Sequence, residues 1–165
     1  LMDFSLALCT EDMEERICEL RQKNIEELRI PATEDALVSS RKVYAFMQTD
    51  LARRMGTAQE KGKLFREQPF VLGVKASDVC SDFPEDEDIL VQGVIDVYFE
   101  EEDGLVLMDY KTDRVEEGSE LIKRYRTQLD YYAEALERLT HKKVKEKLIY
   151  SFALHVVCSF PRTFV

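Results

Sequence analysis

Two aspartates and a lysine, Asp96, Asp109 and Lys111, stand in apolar runs where strand chemistry alone would not put them. The runs LVQGVIDVYFE (90–100) and LVLMDYK (105–111) are rich in β-branched and aromatic residues, and the EEDG between them is a hairpin signal. Side chains alternate between the two faces of a strand, so register decides whether the charged groups meet. If EEDG supplies four loop residues, Asp96 faces Asp109, and Lys111 follows two residues on along the same face. A two-residue turn displaced by one position sets Asp96 against Lys111 instead, and a three-residue turn with a bulge breaks the pattern. Facing carboxylates repel unless a cation or proton lies between them. Hard oxygen donors of this kind suit Mg²⁺, with Mn²⁺ as a substitute. A lysine beside them could orient or deprotonate a water for in-line attack on phosphorus. The plainer alternative is a salt bridge on a solvated sheet face, the usual meaning of an isolated D-x-K.

A second signal lies downstream. Residues 117–139 have helical periodicity, with Leu121, Tyr125, Leu129, Tyr132 and Leu136 on one stripe. Gln128 falls on that stripe, three residues after Tyr125 and four before Tyr132. A glutamine on a buried stripe must find hydrogen-bond partners or cost stability. It either bonds a helix end or a neighbouring strand, or reaches with Tyr132 toward the carboxylates or a DNA phosphate.

The elements that must position these groups follow from periodicity and breakers. Residues 11–29 place Met13, Ile17, Leu20 and Leu28 at helical spacing, with Thr10 as N-cap and Pro31 as stop. Residues 33–55 predict further helix, with Val43, Phe46, Met47 and Leu51 on one side, a break near 38–40, and Gly56 as its end. Residues 63–76 read as a strand interrupted at Pro69, and the acidic ASDVCSDFPEDEDI as a loop. Residues 144–157 predict a final strand, while CSFPRTFV carries no periodicity. The chain divides into a helical part (1–62), a core (63–157) and an unassigned tail (158–165), with the element order of an α/β or α+β sandwich.

At 165 residues the chain fits one domain with a real core. No apolar run approaches the ~20 residues that span a bilayer, which argues against a membrane protein. The first residues carry an acid rather than a basic leader, and they start abruptly on apolar side chains, as a segment of a longer protein would. A net charge of −10 counts against a broad nucleic-acid footprint, unless acids hold metal ions or a larger partner supplies DNA affinity. The scattered Cys9, Cys18, Cys80 and Cys158 exclude a zinc ribbon or iron–sulfur cluster and read as core filler in a reducing cytoplasm. Lys123, Arg124 and Arg126, then Lys142, Lys143, Lys145 and Lys147, could track phosphates or simply solvate a helix face and a strand end.

Together, GVIDVYFEEEDGLVLMDYKTD and the following YRTQLDYYAEAL resemble the RecB-type branch of the PD-(D/E)XK nucleases. They look in particular like the C-terminal nuclease domain of AddA-type (RexA) subunits, found in helicase–nucleases that process DNA ends for recombination. The resemblance runs from about Phe65 to His155 and rests on G-x-x-D, D-Y-K-T and Q-x-x-x-Y in combination. It implies a restriction-endonuclease-like core, a mixed β-sheet flanked by helices. It also implies an Mg²⁺-dependent exonuclease in the cytoplasm, fed a single DNA strand by the ATP-dependent helicase portion of its own polypeptide and paired with an AddB/RexB-like subunit. Carried over by residue, Asp96 and Asp109 become metal ligands together with the backbone carbonyl of Tyr110, and Lys111 the catalytic lysine. Gln128 and Tyr132 support the site and contact DNA, with Thr112, Arg124 and Arg126 beside them. Glu67 matches a catalytic acid on the preceding strand, or is one more charge on an exposed strand. The family also uses a histidine on an N-terminal helix. Here His141 falls in a basic turn and His155 in the last strand, so that ligand is expected upstream of Leu1. Without it, the competing reading is a non-catalytic nuclease-like module for DNA binding or subunit docking.

Overall fold

The computed structural model describes residues 3–9, 11–27, 39–79, 82, 84 and 86–161. Five strands, β1 (Leu64–Lys75), β2 (Asp88–Glu101), β3 (Gly104–Lys111), β4 (Val144–Ser151) and β5 (Val156–Ser159), form one sheet in chain order. All neighbours are antiparallel except β3 and β4. That parallel pair needs a crossover, which the helix α5 (Gly118–Thr140) provides. A short 3₁₀ turn (Phe4–Leu8) and the helices α1 (Met13–Glu26), α2 (Ser40–Met47) and α3 (Asp50–Glu60) cover one face, packing Phe4, Ile17, Phe46 and Met55 on Val97, Val106, Met108 and Tyr150. On the other face Leu121, Leu129 and Leu136 of α5 cover Leu105, Leu107 and Ile149. The expected mixed sheet between helices is therefore what forms. β3 is central and covered on both sides, which is why its sequence is an almost unbroken apolar run.

Local chemistry sets the helix ends, and several differ from expectation. α1 is capped at Asp12, in the left-handed region at φ 57, rather than at Thr10. Thr10, Leu28 and Pro31 lie outside the described residues. Of the break expected near 38–40, residues 39 and 40 are described: Ser39 caps α2, which begins at Ser40. The second helical stretch also divides at 48–49. The Thr49 hydroxyl donates to the Phe46 carbonyl at 2.7 Å and accepts the Ala52 N–H at 3.1 Å, ending α2 and starting α3. Gly56 does not end a helix. It lies inside α3, where a Cβ would sit 2.5 Å from the Phe4 carbonyl oxygen. Gly56→Ala would normally strengthen a helix. Here it should destabilise the fold by about 1–3 kcal/mol through overpacking. Urea denaturation measures this, and an unchanged or raised midpoint would refute the close approach.

The departure that matters most lies in β1 and β2. Pro69 does not interrupt β1, which is an edge strand where proline is tolerated. The irregularity falls at Glu67, with φ 49, directly across from Asp96 in the β1–β2 register. Before this point Phe65 and Tyr98 stack on the α5 side at 4.7 Å. Beyond it the residues facing α5 change parity, to Phe70, Leu72 and Val74 on β1 and to Ile95, Val91 and Ile89 on β2. Pairing of β2 with β3 stops at Val97–Met108, while pairing with β1 continues to Lys75–Asp88. The two strands thus leave the sheet as a ribbon that folds over α5. There Leu72 and Val74 pack on Ala135, and Arg138 donates to the Gly73 carbonyl at 3.0 Å. A four-residue helix, α4 (Ala76–Val79), follows β1 at the far end.

At the C-terminus the single expected strand is two. Residues 152–155 form a turn with His155 at φ 57, its N–H donating to the Ser151 carbonyl at 2.8 Å, so His155 is a turn residue. Cys158 and Phe160, from the stretch without periodicity, are buried on the α5 side. Cys9 and Cys18 are exposed rather than core filler, and Cys80 lies outside the described residues. Among the described residues no helix is long and apolar enough to cross a membrane.

Candidate active site

The β2–β3 hairpin closes through a two-residue turn, Glu102 and Asp103, with Glu101 opposite Gly104. Gly104 has φ 147, and a Cβ there would meet the Lys143 carbonyl oxygen at 2.7 Å, so the turn requires glycine. The register that results is the one that faces Asp96 toward Asp109, and the pairing of Asp96 with Lys111 does not occur. The ladder ends one step short of this pair. In its place the Asp96 Oδ2 accepts the Tyr110 N–H at 3.0 Å. A carboxylate is thereby pinned by a main-chain donor at the fork where β2 parts from β3.

Asp109 is 2% exposed, on the central strand. Its Oδ2 lies 2.5 Å from Lys111 Nζ as an ion pair, yet has no aligned hydrogen-bond donor among the described residues. Burial pushes the Asp109 carboxyl up to about 6; Lys111 pulls it down and the Asp96 charge adds to the rise. Two carboxylates and one ammonium thus share a largely dry site with an excess of negative charge. The Lys111 side chain is 15% exposed, and its ammonium lies 4.2 Å from the centroid of the Tyr125 ring. The Tyr125 hydroxyl donates to Asp113, 2.9 and 3.0 Å from its two oxygens, and Arg124 Nη1 donates to the same carboxylate at 2.8 Å.

Gln128 Nε2 donates to the Tyr132 hydroxyl at 2.7 Å, so the partner of the glutamine is its own motif tyrosine. Tyr132 packs edge-on against Phe70 at the start of the ribbon, at 5.3 Å. Glu67 is exposed, opposite Asp96. Thr112 and Arg126 are exposed, and Arg124 is engaged by Asp113. The Tyr110 side chain points to the opposite face, edge-on to Phe46 at 5.6 Å, and its hydroxyl has no hydrogen-bond partner among the described residues. Lys142 pairs with Glu100, Lys143 with Glu137, Lys145 with Glu101 and Asp103, and Lys147 with Asp130, so this basic group is spent on acids of the same domain. His141 caps α5 at φ 58, and His155 is exposed in its turn. Sequence reasoning passed over Asp113 and took Tyr125 for a core residue. The available signals were the second aspartate in D-Y-K-T-D and the tyrosine one helical turn before Gln128.

Among the described residues no three His, Cys, Asp or Glu side chains are grouped to hold a metal. Asp96 and Asp109 offer a short set of hard oxygen donors. That suits a divalent ion which keeps several waters, as Mg²⁺ does. The buried Oδ2 of Asp109, beside the Lys111 ammonium and without an aligned hydrogen-bond donor among the described residues, is the atom that fits a cation.

Residues 5–159 match the PD-(D/E)XK nuclease superfamily. The chain is similar to proteins named as subunits of an ATP-dependent helicase/nuclease. Identity is 36% with that of Lachnoclostridium phytofermentans, covering 93% of this chain and 13% of the relative. It is 44% with that of Clostridium novyi, covering 70% and 10%, and 41% with that of a Thermoanaerobacter strain, covering 92% and 12%. The chain thus spans 10–13% of the length of these relatives.

Proposed function

The chain belongs to the PD-(D/E)XK nuclease superfamily, and we propose that it is the nuclease domain of an AddA-type ATP-dependent helicase–nuclease. In this reading it hydrolyses DNA phosphodiester bonds with Mg²⁺, as an exonuclease processing DNA ends for recombinational repair in the cytoplasm. The observation that carries the proposal is the convergence of Asp96, Asp109 and Lys111 at the fork between β2 and β3.

Asp96, Asp109 and the Tyr110 carbonyl would hold the ion, with Mn²⁺ able to replace Mg²⁺. When bound, the ion supplies Lewis-acid stabilisation of the charge that develops on the phosphoryl oxygens. Lys111, held beside Asp109, orients a water toward phosphorus, and its ammonium offsets negative charge on the non-bridging oxygens. The water oxygen bonds to phosphorus as the ester P–O bond breaks, one water proton passes to solvent, and the leaving oxygen is protonated. Glu67, across from Asp96, can accept a hydrogen bond from water at the mouth of the site. The Gln128–Tyr132 pair presents α5 to the DNA, Thr112 and Arg126 meet its backbone, and Arg124 acts through Asp113. A chain of net charge −10, with its lysine cluster already paired, has little footprint of its own for duplex DNA. The helicase portion, with an AddB/RexB-like partner subunit, would therefore deliver a single strand to the site.

Calorimetric titration of the complete protein with Mn²⁺ tests the ligand assignment. Asp96→Ala is expected to weaken the nuclease-site binding event by at least ~10-fold. A binding curve that Asp96→Ala leaves unchanged would favour the non-catalytic docking module, which needs no ion there.

A further inference from the structure

We infer that Tyr125, locked by Asp113, is a positioning residue for Lys111. This rests on the reading of Lys111 as the catalytic lysine. The tyrosine does two things at once. Its hydroxyl donates to both oxygens of Asp113, which lies two residues beyond Lys111 in the segment joining β3 to α5. Its ring lies under the Lys111 ammonium at 4.2 Å. The hydrogen bond from Tyr125, with Arg124 adding to it, holds the Asp113 carboxyl below the usual carboxylate range, so the clasp is intact at neutral pH.

The physical need for such a clasp follows from the side chain it serves. A lysine ammonium rides on four rotatable methylenes and is strongly hydrated, so by itself it swings toward water. Lys111 is at the last position of β3, where the strand gives way to a connecting segment, so the backbone alone confines it poorly. Asp109 attracts it from one side. An ion held by Asp109 would compete for that carboxylate, and the aromatic face of Tyr125 is then the contact that keeps the ammonium in place. Asp113 stops the ring from rotating away and ties the segment after Lys111 to α5. The arrangement links the strand that carries the lysine to the helix that carries Gln128 and Tyr132, one and two turns further on.

The test compares Tyr125→Leu, Tyr125→Phe, Asp113→Asn and Lys111→Ala in the complete protein, by Mg²⁺-dependent DNA cleavage and thermal unfolding. Tyr125→Leu removes the ring and is expected to lower kcat about tenfold, the scale of one desolvated cation–π contact, with the KM for DNA little changed. Tyr125→Phe keeps the ring but loses the hydroxyl that Asp113 holds, so it should fall between Tyr125→Leu and the wild type. Asp113→Asn, whose amide oxygen can still accept from that hydroxyl, should stay closer to the wild type. In a Lys111→Ala background Tyr125→Leu should have no further effect on residual cleavage, because it acts through the lysine. A tenfold loss that persists in the Lys111→Ala background, or a Tyr125→Leu protein with wild-type kcat, overturns the inference. Wild-type cleavage by Lys111→Ala overturns instead the reading on which it rests. If Tyr125→Leu unfolds, an NMR measurement on the wild type and Tyr125→Phe decides. The Lys111 ε-methylene resonances should be ring-shifted upfield in the wild type and move part of the way to their free position in Tyr125→Phe, where the clasp is lost. Resonances at the free position in the wild type, or unmoved in Tyr125→Phe, overturn the proposal.

Discussion

Lys111→Ala is expected to lower DNA cleavage by roughly 10²–10³-fold at saturating Mg²⁺, the loss typical when a preorganised group facing developing charge is removed. The same substitution should leave Mn²⁺ binding as tight as in the wild type, or tighter. The Lys111 ammonium lies 2.5 Å from Asp109 Oδ2, so it repels any cation brought to that carboxylate, and its removal relieves the repulsion. This opposite movement of binding and rate separates a chemical role from a structural one. A lysine that merely balanced charge in the fold would, when removed, lower stability and leave cleavage by the remaining folded molecules unchanged. Lys111→Arg should not rescue activity, since a planar fork places its charge differently from a point ammonium. Cleavage at the wild-type rate by Lys111→Ala would remove the basis for the proposed function.

The second large effect concerns Asp109, where stability and function pull in opposite directions. An acid whose folded value is pushed up to about 6, from an ordinary 3.8, favours the folded state most when protonated. Its contribution is fully present below the unfolded value and is lost as pH rises through about 6; above that, the ionised carboxylate destabilises the metal-free fold by a constant amount. Asp109→Asn removes the charge with little change in shape. It should therefore stabilise the metal-free protein by about 1–3 kcal/mol at pH 8, with the gain shrinking toward zero near pH 4. The same variant should lose Mg²⁺-dependent cleavage, because an amide is a poor ligand beside Asp96. Urea denaturation across this pH range, with chelator present, checks the first half. An Asp109→Asn protein less stable than wild type at pH 8 would show that the ion pair with Lys111 outweighs the burial of charge.

The sequence was informative where one face of one element decides the outcome. The β-rich run LVLMDYK beside the EEDG turn signal identified β3, and its almost unbroken apolar character is that of a strand covered on both sides. The hairpin parity put Asp96 across from Asp109 although the turn is shorter than the four residues assumed, because adding a closing pair leaves the register unchanged. It was less informative where a single residue adopts an unusual backbone. Glu67, Asp12 and His155 all sit in the left-handed region, and nothing in their types requires it. Each shifts an element boundary or reverses a face. Gly56 was misread for a related reason: its small size serves contact with the Phe4 carbonyl, about fifty residues away in the chain, and not a helix end.

By itself the sequence determined which residues could carry chemistry: two strand aspartates and a lysine at matched parity, with Q-x-x-x-Y on the apolar stripe of the following helix. These are consequences of period and type, and they are local. Only the tertiary structure decided what surrounds them. The reversal of parity at Glu67 and Asp96 carries the β1–β2 ribbon off the sheet and onto α5, which opens the fork where the Asp96 carboxylate replaces the ladder at Tyr110. Burial of Asp109 between the two layers raises its proton affinity, and α5 brings the Tyr125 ring under Lys111. Desolvation and cross-element contact depend on where the chain folds back on itself, and no pattern along the chain encodes that distance.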